Sequence, residues 1–306
     1  VEASRTRVTG THASPLTREL WKYTPLADQI SALYEAPAAS GAVWAGLEQP
    51  GIHATLLGTG AQAATRTAAE RARAVFAGSL DGNRHLLADL ALLRGHDAWL
   101  VEVDGTPERP IELSQSIAGT SVVVLALADG ARATLIEHQS EAAGTQVIVV
   151  RLGRGARLDH HRAVFPAHAH WSLLQAELDD HAEYRLRQLA LGGRRARVET
   201  HVRLTGRGAA ADITGAYLVA GGQLLDQQLV VEHGAPDTTS RQQFHGIGTG
   251  KGRSVFNGRI HIHPGAPRSD AWLSNRNLAL HPDAEMNTKP ELEIYTDDVR
   301  CAHGAT

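Results

Sequence analysis

A short phrase recurs through the middle of this 306-residue chain at a nearly constant interval. It consists of leucine or valine, turn residues, an alanine, and a return to β-like sequence. It reads LADGARATL at Leu127–Leu135, LGRGARL at Leu152–Leu158, LDDHAEYRL at Leu178–Leu186, LTGRGAAADI at Leu204–Ile213 and VVEHGAPD at Val230–Asp237. The shared alanines are Ala131, Ala156, Ala182, Ala209 and Ala235, separated by 25, 26, 27 and 26 residues. Self-similarity at such a period marks a repeat architecture. The unit has no helical periodicity, which excludes helical solenoids. It has room for two short strands and two corners, one coil of a parallel β-helix, and a coil is stable only when stacked on its neighbours. Beyond Ala235 the spacing breaks, with Ala266 after 31 residues and Ala284 after a further 18. Either the later coils carry insertions or the register fails there.

The residues around the phrase agree with strands. Val198, Thr200, Val202 and Leu204 alternate with Glu199, His201 and Arg203, a period of two. Val122–Leu127 and Val147–Val150 are apolar throughout, the pattern of strands buried on both faces. Aromatic residues make up only 5% of the chain, whereas glycine is frequent, with 30 residues. Aliphatic strands and many turns follow. An antiparallel sandwich is the competing architecture, with Gly221-Gly222 as a hairpin turn. The first hundred residues differ. Ala61–Ala77 is alanine-rich and bears both charges, and Leu86, Leu90 and Leu93 follow helical spacing between about Arg84 and Arg94. The expected organisation is therefore a mostly helical segment over 1–97 and a β-solenoid over 98–306.

Net charge is −3, so no basic surface argues for nucleic acid or an anionic membrane. The longest strongly apolar run, Val122–Ala128, is too short to span a bilayer. The single cysteine, Cys301, excludes an internal disulfide framework, and a reducing, cytoplasmic compartment fits best.

Chemistry could reside in Cys301-Ala302-His303. On a strand, residues i and i+2 face one way, so a thiol and an imidazole would stand side by side, both donors for a soft or borderline metal. Two ligands do not close a site, and the residues read equally as a small core cysteine beside an incidental histidine. A second constellation is His168-Ala169-His170 with Glu177, the donor types of a cupin-like metal-dependent enzyme. His160-His161 and His261-Ile262-His263 are further pairs, but 17 histidines make chance pairs common. GIGTGKGRS at Gly246–Ser254 lacks phosphate-loop spacing and reads as a strand corner. No nucleophile-elbow motif is present in the sequence.

The C-terminal fifty residues resemble the SufD family of iron–sulfur cluster assembly scaffolds. The matching pieces are Phe256-Asn257-Gly258-Arg259-Ile260, Ser274-Asn275-Arg276-Asn277-Leu278, Thr288-Lys289-Pro290, Leu292-Glu293-Ile294-Tyr295, and Asp298-Val299-Arg300-Cys301 with His303-Gly304-Ala305-Thr306. Trp21–Leu26, Gly155–Arg162 and Leu189–Ala209 also fit that family. The resemblance implies a mainly β fold, a right-handed parallel β-helix core with an N-terminal helical segment. It implies a non-catalytic scaffold that pairs with a SufB-type paralogue and a SufC-type ATPase. A transient iron–sulfur cluster would form at the shared interface, with His303 as donor and Cys301 as its neighbour. The ending Cys-Ala-His-Gly-Ala-Thr favours SufD over SufB. Whether the isolated chain forms a homodimer is left open. Trp272 and Leu273 stand where the family more usually has polar residues, so an altered surface is expected there. Family members continue past the position of Thr306 into a helical ATPase-docking segment, which this sequence is expected to lack.

Overall fold

A computed structural model describes residues 42–58, 97–115, 119–140, 144–166 and 169–306. The expected helices over 61–77 and 84–94, the Trp21–Leu26 stretch and His168 lie outside the described residues. No helix occurs among the described residues, which form eighteen strands. These are β1 (Ala42–Ala45), β2 (Ile52–Gly58), β3 (Asp97–Val103), β4 (Ile111–Gln115), β5 (Gly119–Leu127), β6 (Arg132–Ser140), β7 (Gly144–Leu152), β8 (Arg157–Phe165) and β9 (Ala169–Leu178). They continue as β10 (Glu183–Leu191), β11 (Arg195–Leu204), β12 (Ala210–Val219), β13 (Leu224–His233), β14 (Thr239–Gly248), β15 (Arg253–Ile262), β16 (Ser269–Ala279), β17 (Glu285–Ile294) and β18 (Val299–Ala305).

From β3 onward the chain alternates between two sheets. Even-numbered strands stack in one and odd-numbered strands in the other, each with parallel neighbours. This is a parallel β-solenoid of about seven turns. Only the first end is antiparallel, where β1 pairs with β4 and β2 with β3. β1 and β2 lie within the segment 1–97, before the expected start of the solenoid. Gly221 and Gly222 do not close a hairpin. Both take positive φ at a corner where the chain passes from β12 in one sheet to β13 in the other.

The repeated phrase is one corner of six successive coils, from the β5–β6 corner to the β15–β16 corner. Gly130, Gly155, His181, Gly208, Asp237 and Arg268 all have left-handed φ, between 56° and 72°. The residue after each leads into the next strand of the even sheet. In the first four coils it is an alanine whose N–H closes the turn, as in Ala131 to the Ala128 carbonyl (3.1 Å) and Ala156 to that of Gly153 (3.0 Å). These four alanines are buried. In the next two coils the equivalent residues are Thr238 and Ser269, not Ala235 and Ala266. The register thus slips one coil earlier than the alanine spacing suggests. Coils lengthen along the chain, from 24 residues between paired Asp97 and Ser121 to 32 between Arg253 and Glu285. The added residues widen the corner, and its interior becomes polar. Thr238 Oγ1 hydrogen-bonds Ser269 Oγ (2.8 Å) and His233 Nδ1 (2.8 Å). Ala284 belongs to the opposite corner, between β16 and β17.

Corners stack closely enough to dictate glycine at one point. A Cβ on Gly206 would fall 1.9 Å from the backbone nitrogen of Asp180, an atom that cannot move without breaking the neighbouring turn. Gly206→Ala should therefore destabilise the protein by about 1–3 kcal/mol or more. Urea unfolding of the two proteins measures this, and an unchanged midpoint would contradict the stacking described.

The even strands β8 and β12 alternate strictly between core and more exposed positions. Odd strands such as β7 and β9 are buried on both faces, as their unbroken apolar runs imply. That second, outward row also holds polar groups. Arg197 donates to Glu199 Oε1 (2.7 Å) and Asp226 Oδ2 (2.6 Å), all three buried. The alternation in β11 therefore sets which way side chains point, without leaving its polar members in water. Inside, the coil has two sides. Leu127, Leu152, Leu178 and Leu204 stack beside the left-handed corner, and polar side chains gather towards the other.

Candidate functional site

β18 is the last strand of the even sheet, paired on one side with β16. Register places Ala271 beside Cys301 and Leu273 beside His303. Traced back through the sheet, Cys301 ends the inward row Leu158, Tyr184, Ala211, Ser240, Ala271. His303 ends the row His160, Leu186, Ile213, Gln242, Leu273. Both side chains thus leave the same face of the strand, the face that in every earlier coil is core. No further coil stacks on this one among the described residues. Cys301 is half-buried and packs against the edge of the core, and His303 is exposed. Burial first, and the carboxylate of Asp270 second, push the Cys301 thiol above its ordinary pKa. It is a thiol at neutral pH, so a metal must displace its proton to bind.

The flanking strand β17 turns Met286, Thr288 and Leu292 towards the same end, each partly buried. A hydrogen-bonded net behind them ties the two sheets together. Tyr217 Oη donates to Asn277 Oδ1 (2.5 Å), Asn275 Nδ2 donates to Tyr217 Oη (3.0 Å), and Asn277 Nδ2 donates to Thr288 Oγ1 (3.1 Å). Asn275, Asn277 and Thr288 lie in the motifs quoted above, and the net gives those motifs a physical role in fixing the terminal coil. Tyr217 gave no signal in the sequence, because its partners are 58 and 60 residues away. Leu273 is fully buried inside the solenoid rather than on an altered surface, and Trp272 alone points outward, beside Ala302.

The other histidine groups separate. His170 points into the core and is buried, whereas Glu177, an odd number of residues along the same strand, points outward and is bound by Arg203 (2.6 Å). His170 and Glu177 cannot share a metal, so the three donors of the cupin-like arrangement do not converge on one site. His160 and His161 likewise face opposite ways. His261 and His263 do meet, with rings stacked at 4.1 Å, but each is taken by a carboxylate. His261 Nδ1 lies 3.0 Å from Glu293 and His263 Nε2 3.5 Å from Glu232. Among the described residues no group of three or more histidine, cysteine, aspartate or glutamate side chains is arranged to hold a metal. Cys301 and His303 thus share one face of a strand on which no further described coil is stacked.

Comparison with known proteins decides the family. Residues 113–306 match the family model for the SUF system FeS cluster assembly SufBD core domain. The chain belongs to the SufBD core family. Among its relatives, the iron–sulfur cluster assembly protein SufD of Escherichia coli (strain K12) is 30% identical over 238 residues, covering 72% of this chain and 56% of that protein. The chloroplastic protein ABCI7 of Arabidopsis thaliana is 32% identical over 142 residues, 45% of this chain and 29% of the relative. A SufBD-family iron–sulfur cluster assembly protein of Mycobacterium leprae is 34% identical over 137 residues, 42% and 35% respectively. The chain thus spans little more than half the length of the Escherichia coli relative it matches.

Proposed function

We propose that this chain is a non-catalytic scaffold of iron–sulfur cluster assembly, holding a nascent cluster as cargo at the last described coil of its solenoid. The observation that carries the reading is the ending of two inward rows in Cys301 and His303, at a coil with no described neighbour. A cluster iron bound there would take one or two donors from this chain and the rest from another subunit, since clusters are held by sets of about four ligands. A SufB-type paralogue docked on this end would supply them. His303, exposed and needing no burial penalty to be undone, is the better first donor. Cys301, protonated and half-buried, supports it. The coils wind right-handed, as parallel crossover connections do. Their unbroken ladders would let the solenoid move as one body when a SufC-type ATPase changes shape. A reducing cytoplasm suits the free thiol.

The test is His303→Ala in the full-length protein, co-produced with SufB-type and SufC-type partners and purified without oxygen. Iron and acid-labile sulfide in the complex should fall severalfold, while circular dichroism and complex formation are unchanged. Undiminished cluster content in a properly assembled complex would refute the role of this strand.

A further inference from the structure

The polar half of the solenoid interior contains more hydrogen-bonding capacity than its side chains satisfy among themselves. One inward row of the even sheet runs Glu137, Arg162, Gln188, and it faces an inward row of the odd sheet containing Gln146, Ser172 and Gln227. The rows join where Gln188 Nε2 donates to Gln227 Oε1 (3.2 Å). On these rows and at neighbouring inward positions, seven buried atoms have no hydrogen-bond partner among the described residues. They are Gln139 Oε1, both amide atoms of Gln146, Arg162 Nη2, His170 Nε2, Ser172 Oγ and Gln227 Nε2. The six residues are each 4% exposed or less. Buried polar groups without partners carry a heavy desolvation penalty, and native proteins rarely tolerate several together.

The chemistry of the seven atoms selects what can meet them. Arg162 Nη2, Gln146 Nε2 and Gln227 Nε2 only donate, the two glutamine oxygens only accept, and Ser172 Oγ and His170 Nε2 can do either. An anion would satisfy the donors alone and a cation the acceptors alone. Neither gains from the local charge, since Glu137 and Arg162 already neutralise each other at 3.0 Å. Water does both. We infer that the solenoid interior holds a chain of ordered water molecules between the rows of Arg162 and Gln146, joining the two sheets where their side chains do not interlock. At about three hydrogen bonds per buried water, two or three molecules suffice. The seam is closed towards the candidate site by the Phe244–Phe256 pair (centroids 4.8 Å apart), Phe244 filling the space beside Gly215. Beyond that plug, the Tyr217–Asn275–Asn277–Thr288 net satisfies itself.

A high-resolution crystal structure of the chain should show water density about 2.7–3.2 Å from Arg162 Nη2, His170 Nε2 and Gln146. Side chains paired with one another around a dry interior would overturn the inference. Gln146→Leu gives a second reading of nearly equal volume. If Gln146 anchors water, the variant strands that water and lowers Tm by about 2–4 °C. If its amide is dry and unpaired, the variant is neutral or raises Tm, and the inference fails.

Discussion

Arg162→Met should cost about 3–5 kcal/mol of stability. Glu137 is fully buried and is contacted by three groups. Arg162 Nε donates to its Oε1 (3.0 Å), Gln139 Nε2 donates to the same oxygen, and His160 Nε2 lies 2.9 Å from Oε2. The other nitrogen of His160 is 2.9 Å from the Tyr184 hydroxyl. Burial alone would raise the Glu137 carboxyl, but Arg162 foremost and then His160 outweigh it and hold it below the ordinary value. Burial keeps His160 neutral, so its Nε2–H donates to the carboxylate and its Nδ1 accepts from Tyr184. Removing the guanidinium leaves a carboxylate in the core with its main counter-charge gone. Removing both charges at once, as Glu137→Gln with Arg162→Met, should cost much less than the single change, because no uncompensated ion remains. A double-mutant cycle by urea unfolding measures the difference. A single-variant loss below about 1 kcal/mol would mean that the pair is not buried as described.

The solenoid was legible in the sequence because its corners are the part of the coil with least chemical freedom. In the first four of these corners a left-handed residue precedes an alanine, and Gly130-Ala131, Gly155-Ala156 and Gly208-Ala209 meet that need in the commonest way. The pattern blurred where other chemistry satisfied the same need. At Asp237-Thr238 and Arg268-Ser269 a non-glycine takes positive φ and a hydroxyl replaces the methyl, so the eye follows Ala235 and Ala266 three residues too early. The candidate site was legible in its spacing, since Cys301 and His303 needed only a strand to face one way. Its position was not, because a row through six strands is a property of register, which one strand does not record. The ion-paired hub at Glu137 gave no local signal either. Its members lie 23 to 25 residues apart, one coil each, and meet only when the coils stack.

Stability should fall steadily as pH is lowered from about 6.5, well before the carboxylates titrate. Burial depresses the His170 imidazole to about 3 and that of His233 to about 4. His233 is held neutral between the hydroxyls of Thr238 and Ser240, each 2.8 Å away. In the unfolded chain both would take up protons near pH 6.5. Below that pH the unfolded state binds more protons than the native state, so acid favours unfolding, by about 1.4 kcal/mol per pH unit for each histidine. The contribution of His233 stops growing near pH 4 and that of His170 near pH 3. Between pH 6.5 and 4.5 the two together amount to about 5 kcal/mol, comparable with the whole stability of many domains. Glu137, whose carboxyl is depressed, adds to the loss only at lower pH, as it is titrated through its native value. Urea midpoints measured from pH 7.5 to 4.5 should trace this slope. His233→Gln and His170→Gln should each remove about 1.4 kcal/mol per pH unit from it, whatever each costs at neutral pH. A wild-type profile flat across that range would show that neither imidazole is sealed from solvent, and with that the closed interior on which the solenoid's rigidity rests would be lost.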